Sequence, residues 1–202
     1  MLSLKEKRFK NLSDYQNKAY ADKYMNLINK VGHYDQGEIY EAVAKSYYKL
    51  LAIKDEYEVA RLYTNGDFIK KLNTQFDGDF KIKFHMAPPI FEKKNRLGEI
   101  QKREFGPWML RALKFVTKFK KLRGTAFDIF GYSSERKMER ALIKEYEELV
   151  TKVLDKLNKD NYELCLEILE LPLSFKGYGH VKEKNVKNAK LKLEKLLSNL
   201  EN

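Results

Sequence analysis

Residues 133–157, SSERKMERALIKEYEELVTKVLDKL, carry the clearest periodicity in the sequence. Met138, Leu142, Tyr146, Leu149, Val153 and Leu157 recur every three to five residues, which an α-helix gathers on one face. The other positions are mostly charged, so one side would face a core and the other solvent. Downstream, Asp160 or Asn161 is placed to start a shorter helix through Leu164, Ile168 and Leu171, which Pro172 ends. A last amphipathic helix follows from Val186, Ala189, Leu193, Leu196 and Leu200.

The chain upstream reads the same way. Gly106-Pro107-Trp108 opens a helix, with Pro107 suited to its first position, and Met109, Leu113, Val116, Phe119 and Leu122 continue it to Gly124. The loop TAFDIFGY (125–132) is unusually aromatic. Nearer the start, Ser13 or Asp14 is a candidate cap for a helix lined by Tyr15, Ala19, Tyr24, Leu27 and Val31. Residues 1–12 are basic and read as an irregular arm. Ile39, Val43, Tyr47, Leu50, Tyr57, Ala60 and Tyr63 form another stripe, with a break at Lys54-Asp55. Asn65-Gly66 signals a turn, and Asp67 suits the N-cap of a short helix.

One segment departs from the helical period. In FKIKFHM (80–86), Phe80, Ile82, Phe84 and Met86 alternate with Lys81, Lys83 and His85, as a strand requires. Pro88-Pro89 stops it, and the return strand falls within residues 90–105, with Gly98 near the turn. The expectation is a mainly α fold with one small antiparallel β-hairpin near residues 79–105. No linker or repeat divides the 202 residues, so a single domain is expected.

Composition narrows the function. A single cysteine, Cys165, excludes an internal disulfide and any CxxC metal set, and its helical neighbours Ile168 and Leu169 predict a buried, inert thiol. No apolar h-region follows Met1 and no run of 18 apolar residues occurs, which points to a cytoplasmic chain without membrane contact. The net charge of +11 admits nucleic acid, an acidic partner or a solvated lysine-rich surface, because acids interleave with the bases.

No nucleotide-binding, zinc-protease or serine-hydrolase motif is present. Asp77-Gly78-Asp79 reads as a turn, and His33, His85 and His180 are widely separated, with His85 on the exposed face of the strand. Two stretches place bases ahead of a helix N-terminus, where free N–H groups attract anions. Lys102 and Arg103 precede Gly106-Pro107-Trp108; Gly177-Tyr178-Gly179 precedes His180 and Lys182. Either could hold a phosphate or a partner's carboxylate. The simpler alternative, a glycine-permitted lead-in turn with its aromatic packed inward, is favoured. Residues 93–103, KKNRLGEIQKR, form the most basic patch, and a free-standing nucleic-acid-binding module is the rival reading.

A series of longer strings adds a resemblance. LSDYQNKAYADKY (12–24), EAVAKSYYKLLAIKDEYEVARLYT (41–64), FDGDFKIKFHMAPP (76–89), QKREFGPWML (101–110), LRGTAFDIFGYSSERKMERALIKEYE (122–147) and KGYGHVKEKN (176–185) occur in this order. The chain thereby resembles the C-terminal helical domain of the fused indolepyruvate ferredoxin oxidoreductase family, from near residue 8 almost to its end. The resemblance implies a cytosolic parent enzyme using thiamine diphosphate, Mg²⁺ and iron–sulfur clusters. That enzyme oxidatively decarboxylates arylpyruvates to acyl-CoA and passes electrons to ferredoxin. Its thiamine-binding and iron–sulfur domains precede the segment resembled, so the chain reads as an excised C-terminal domain or the product of a split or truncated gene. With no Gly-Asp-Gly thiamine motif and one cysteine, no catalytic residue transfers to it. The implied role is docking on those domains, or lining an approach for CoA or ferredoxin, with Lys102, Arg103, Trp108, His180 and Lys182 as contact candidates.

Overall fold

The computed structural model describes residues 3–78, 80–86 and 101–201. Among them the chain is mainly helical with one two-stranded antiparallel sheet, and it folds as two compact units. The first combines Met1–Ile53 with Tyr132–Asn202; the second is Lys54–Gly131. The division falls at the break in the second apolar stripe and at the end of the aromatic loop.

The first unit holds α1 (Leu4–Tyr15), α2 (Lys18–Gly32), α3 (Glu38–Leu51), α7 (Ser134–Lys156), α8 (Tyr162–Glu170) and α9 (Gly179–Glu201). Their apolar stripes meet in one core that includes Ile28, Val43, Tyr47, Leu51, Tyr146, Val150, Val153 and Ile168, all buried. Burial of whole Leu, Ile and Val side chains gives roughly 1.5–3 kcal/mol each, the main force holding the bundle. Tyr24, Tyr47 and Tyr146 stack in sequence, with ring centroids 6.0 and 6.2 Å apart. Each hydroxyl finds an acceptor inside: Ala44 O for Tyr24, the Glu147 carboxylate for Tyr47 and Leu169 O for Tyr146. A buried phenol needs such a partner, because leaving it unbonded costs about 1–3 kcal/mol.

Residues 1–12 are not an irregular arm over their described part. Ser3 and Glu6 form a capping box: the Ser3 hydroxyl accepts from Glu6 N at 3.2 Å, and Ser3 N donates to Glu6 Oε2 at 2.7 Å. This S-x-x-E signature starts α1, so Ser13 and Asp14 lie in its last turn. The N-cap of α2 is Asn17, whose Oδ1 accepts from Tyr20 N at 2.8 Å.

The second unit holds α4 (Glu56–Thr64), α5 (Asp67–Gln75), β1 (Phe84–Met86), β2 (Arg103–Phe105) and α6 (Met109–Thr117). β1 and β2 pair antiparallel, Phe84 opposite Phe105 and His85 opposite Glu104. The hairpin is therefore present, but shorter at its start than the alternation from Phe80 implies. Pro88-Pro89, Gly98 and most of the basic patch lie outside the described residues. A small core of Ala60, Phe84, Met109 and Leu113 joins α4, α6 and the sheet. Asp55 caps α4, accepting from Glu58 N at 2.9 Å. Helix α5 starts at Asp67 with the left-handed Gly66 (φ 92°) as N-cap, one residue earlier than expected.

Candidate functional site

In the first unit, the stretch 174–185 leads from a 3₁₀ turn into α9. Gly177 and Gly179 both have positive φ, 92° and 54°. At Gly177 a Cβ would come within 2.7 Å of Val181 Cγ1, so glycine is required there for space as well as conformation. The N–H of Gly179, at the start of α9, donates to Glu135 Oε1 at 3.0 Å. The anion that a phosphate or a partner could have brought to this helix end is supplied by the Glu135 carboxylate of α7.

Lys182 is likewise engaged. Its ammonium pairs with Glu139, a carboxylate only 4% exposed that also holds Arg136. His180 is exposed, and Tyr178 is 68% exposed. The lead-in turn is present, but its aromatic stands in solvent and is not packed inward. Beside it a small pocket is lined by Lys49, Glu139, Leu142, Phe175 and Lys182. Lys49 donates to Leu173 O at 2.7 Å. Burial, and then the neighbouring Lys176 and Lys182 charges, hold Lys49 below the usual lysine range. Sequence reasoning missed Lys49, which sits in a helical stripe between Tyr47 and Leu50 and carries no local sign of this role.

In the second unit, Lys102 is exposed and Arg103 is half-buried on β2, paired with Met86. The start of α6 is not an open anion cradle. Met109 N donates to Gly106 O at 3.1 Å, Leu110 N to Pro107 O at 3.2 Å and Arg111 N to Trp108 O at 3.0 Å. This tight turn uses the N–H groups that an anion would need.

Trp108 stands 53% exposed, its ring edge-on to Phe105 at 5.9 Å. It belongs to a larger pattern. Among the described residues, every exposed Phe and Trp lies in the second unit: Phe76, Phe80, Trp108, Phe115, Phe119 and Phe127. On α6, Met109 and Leu113 face the core while Arg111, Lys114 and Phe115 face solvent, and Phe115 contacts Phe119 edge-on at 5.1 Å. Helical spacing had placed Phe119 in the core stripe; α6 ends at Thr117, and Phe119 turns out to solvent.

The same unit carries a run of unbalanced charge. Residues 105–127 hold six Lys and Arg and no Asp or Glu, a signal legible in the sequence but overlooked among the larger totals. One of the six, Arg123, is buried against Asp55, its Nε and Nη2 donating at 2.5 and 2.8 Å.

His85 is exposed, 3.9 Å from Glu104, as its strand position implied. Cys165 is fully buried; burial pushes its thiol pKa up, which makes it inert. Among the described residues no three His, Cys, Asp or Glu side chains gather as a metal-ligand set, and no helix is long and apolar enough to cross a membrane.

Comparison with known protein families places the chain in one of them. Residues 3–195 fit the model of a family of unknown function, DUF6537, and the chain belongs to that family. No curated protein and no solved structure matches it.

Proposed function

For this member of DUF6537, we propose a docking role within an indolepyruvate ferredoxin oxidoreductase of the cytosol. The domain seats itself on the thiamine-binding and iron–sulfur parts of that enzyme. The concentration of exposed Phe and Trp in the second unit carries this reading. Large apolar side chains left exposed in this number within one small unit suit contact with a partner. The sequence strings that resemble the oxidoreductase's C-terminal domain say which partner.

The residues of this chain do not fit an iron–sulfur cluster. An iron–sulfur cluster takes several thiolates, and the single thiol is buried with its pKa raised. In this reading the domain acts by contact. Its cations also suit an approach route for acidic ferredoxin or for the phosphates of CoA.

The test is deletion of this segment from a full-length enzyme, followed by measurement of assembly and of arylpyruvate oxidation. Loss of assembly, or assembly with slowed turnover, is expected. An intact complex with normal turnover would refute the proposal. Ferredoxin steering has its own signature, a turnover that falls steeply as salt rises.

A further inference from the structure

The loop of residues 124–131, GTAFDIFG, is built in an unusual way. Its side chains alternate: Phe127 and Ile129 stand 75% and 69% exposed, while Asp128 is 3% exposed and Phe130 packs edge-on against buried Tyr57 at 5.1 Å. Asp128 anchors the loop from inside, accepting from Gly124 N at 2.8 Å and from the Tyr57 hydroxyl at 3.2 Å. The backbone closes on itself, with Asp128 N donating to Thr125 O and Gly131 N to Asp128 O. Just before the loop, the Arg123 guanidinium is fixed by Asp55 and lies 5.3 Å from the centre of the Tyr57 ring.

Two large apolar side chains are thus held in water by a scaffold that has already lost its conformational freedom. A partner binding them would not bear the ordering cost again. We propose that Phe127 and Ile129 form a preset docking knob that enters an apolar groove on a protein partner, a groove rimmed by acidic residues. The charge of the preceding segment favours such a rim. The loop itself carries no Lys or Arg, but Lys114, Lys118 and Lys121 lie exposed in the segment before it, which has no acids. An apolar centre with a polar rim is the usual anatomy of a protein interface.

Single-stranded nucleic acid fits less well, because base stacking needs planar side chains and Ile129 has none. A bilayer fits less well too, since even a whole myristoyl chain gives only marginal membrane binding and two side chains bury less. The inference rests on the docking role above, which makes the catalytic remainder of the oxidoreductase the partner.

The test compares the full chain with two double variants, Phe127→Ser with Ile129→Ser and Lys118→Glu with Lys121→Glu. Binding to the separately produced thiamine- and iron–sulfur-containing remainder is followed by surface-immobilised kinetics at low and moderate salt. The four side chains are exposed, so melting curves should match the wild type and show that folding is intact. The serine variant is expected to weaken binding about 30-fold or more, through faster dissociation. The glutamate variant is expected to slow association about tenfold at low salt and to lose most of its salt dependence. If the wild type binds and both variants bind equally well, the knob is refuted and the docking role stands. If the wild type does not bind the remainder, both fall. Binding of the wild type to a single-stranded oligonucleotide or to phosphatidylcholine–phosphatidylserine vesicles, abolished in the serine variant, would overturn the protein partner.

Discussion

The Glu135 carboxylate on α7 accepts the backbone N–H of Gly179, the first residue of α9, at 3.0 Å. An external anion and an internal carboxylate compete for the same helix end, and here the internal one holds it. The contact ties α7 to α9 through two residues 44 positions apart and neutralises the positive end of α9. It turns GYGH from a site that waits for a ligand into a joint.

Glu135→Ala should therefore lower stability by about 1 kcal/mol, the usual worth of a helix cap. Urea unfolding would show the loss, and amide exchange at residues 179–182 would quicken before exchange elsewhere in α9. Unchanged exchange there would mean that the cap does not hold the helix end.

The two glycines of the joint should respond differently. An alanine at either position enters the left-handed region, at roughly 1–2 kcal/mol. Gly179→Ala meets no atom within 4 Å and should cost about that much. Gly177→Ala adds a Cβ at 2.7 Å from Val181 Cγ1 and should cost more. Val181→Ala in the same chain should recover the excess. Equal melting temperatures for the two single variants would show that the crowding is relieved by movement of the turn.

In the second unit the buried Asp55–Arg123 pair joins the N-cap of α4 to the base of the docking loop. Removing one partner leaves a buried charge alone, typically a loss of about 3–5 kcal/mol. Asp55→Ala should cost at least that, because it also removes the cap. Arg123→Lys should not restore stability, since one ammonium cannot replace the two-point contact. Trp108 is the sole tryptophan and lies in this unit, so its fluorescence during urea unfolding reads the effect directly.

Much of this fold was legible because apolar residues keep a helical period wherever burial is one-sided. The stripe of α7 and the alternation at Phe84 and Met86 were of this kind. The capping box at Ser3 was legible too, and was hidden by the basic look of residues 1–12. The division into two units was not, because no loop-rich linker marks it; Lys54-Asp55 reads only as a break in a stripe. Side-chain partners across long separations, such as Glu135 with Gly179 or Tyr57 with Asp128, leave no local trace. The same holds for Phe127 and Ile129: alternation in TAFDIFG does not tell which residues face out. For Lys102, Arg103, His180 and Lys182, the sequence showed charge near helix ends but not that neighbouring groups already occupied those ends.

The buried tyrosines give a pH prediction. Burial raises the pKa of Tyr24, Tyr47, Tyr57 and Tyr146, and Glu147 and Asp128 add to the effect at Tyr47 and Tyr57. In the unfolded chain the same phenols ionise near the ordinary value of about 10. Above that pH the unfolded state sheds protons that the folded state keeps, so the unfolded state binds fewer and stability must fall. Below it both states are protonated and the contribution is fully present. Each group adds a slope of about 1.4 kcal/mol per pH unit. Tyrosinate absorbance from these four phenols should accordingly appear only together with cooperative loss of the helical signal, above a pH of about 10. A single smooth titration of all thirteen tyrosines, with the helical signal intact, would mean that the stacked rings are open to water.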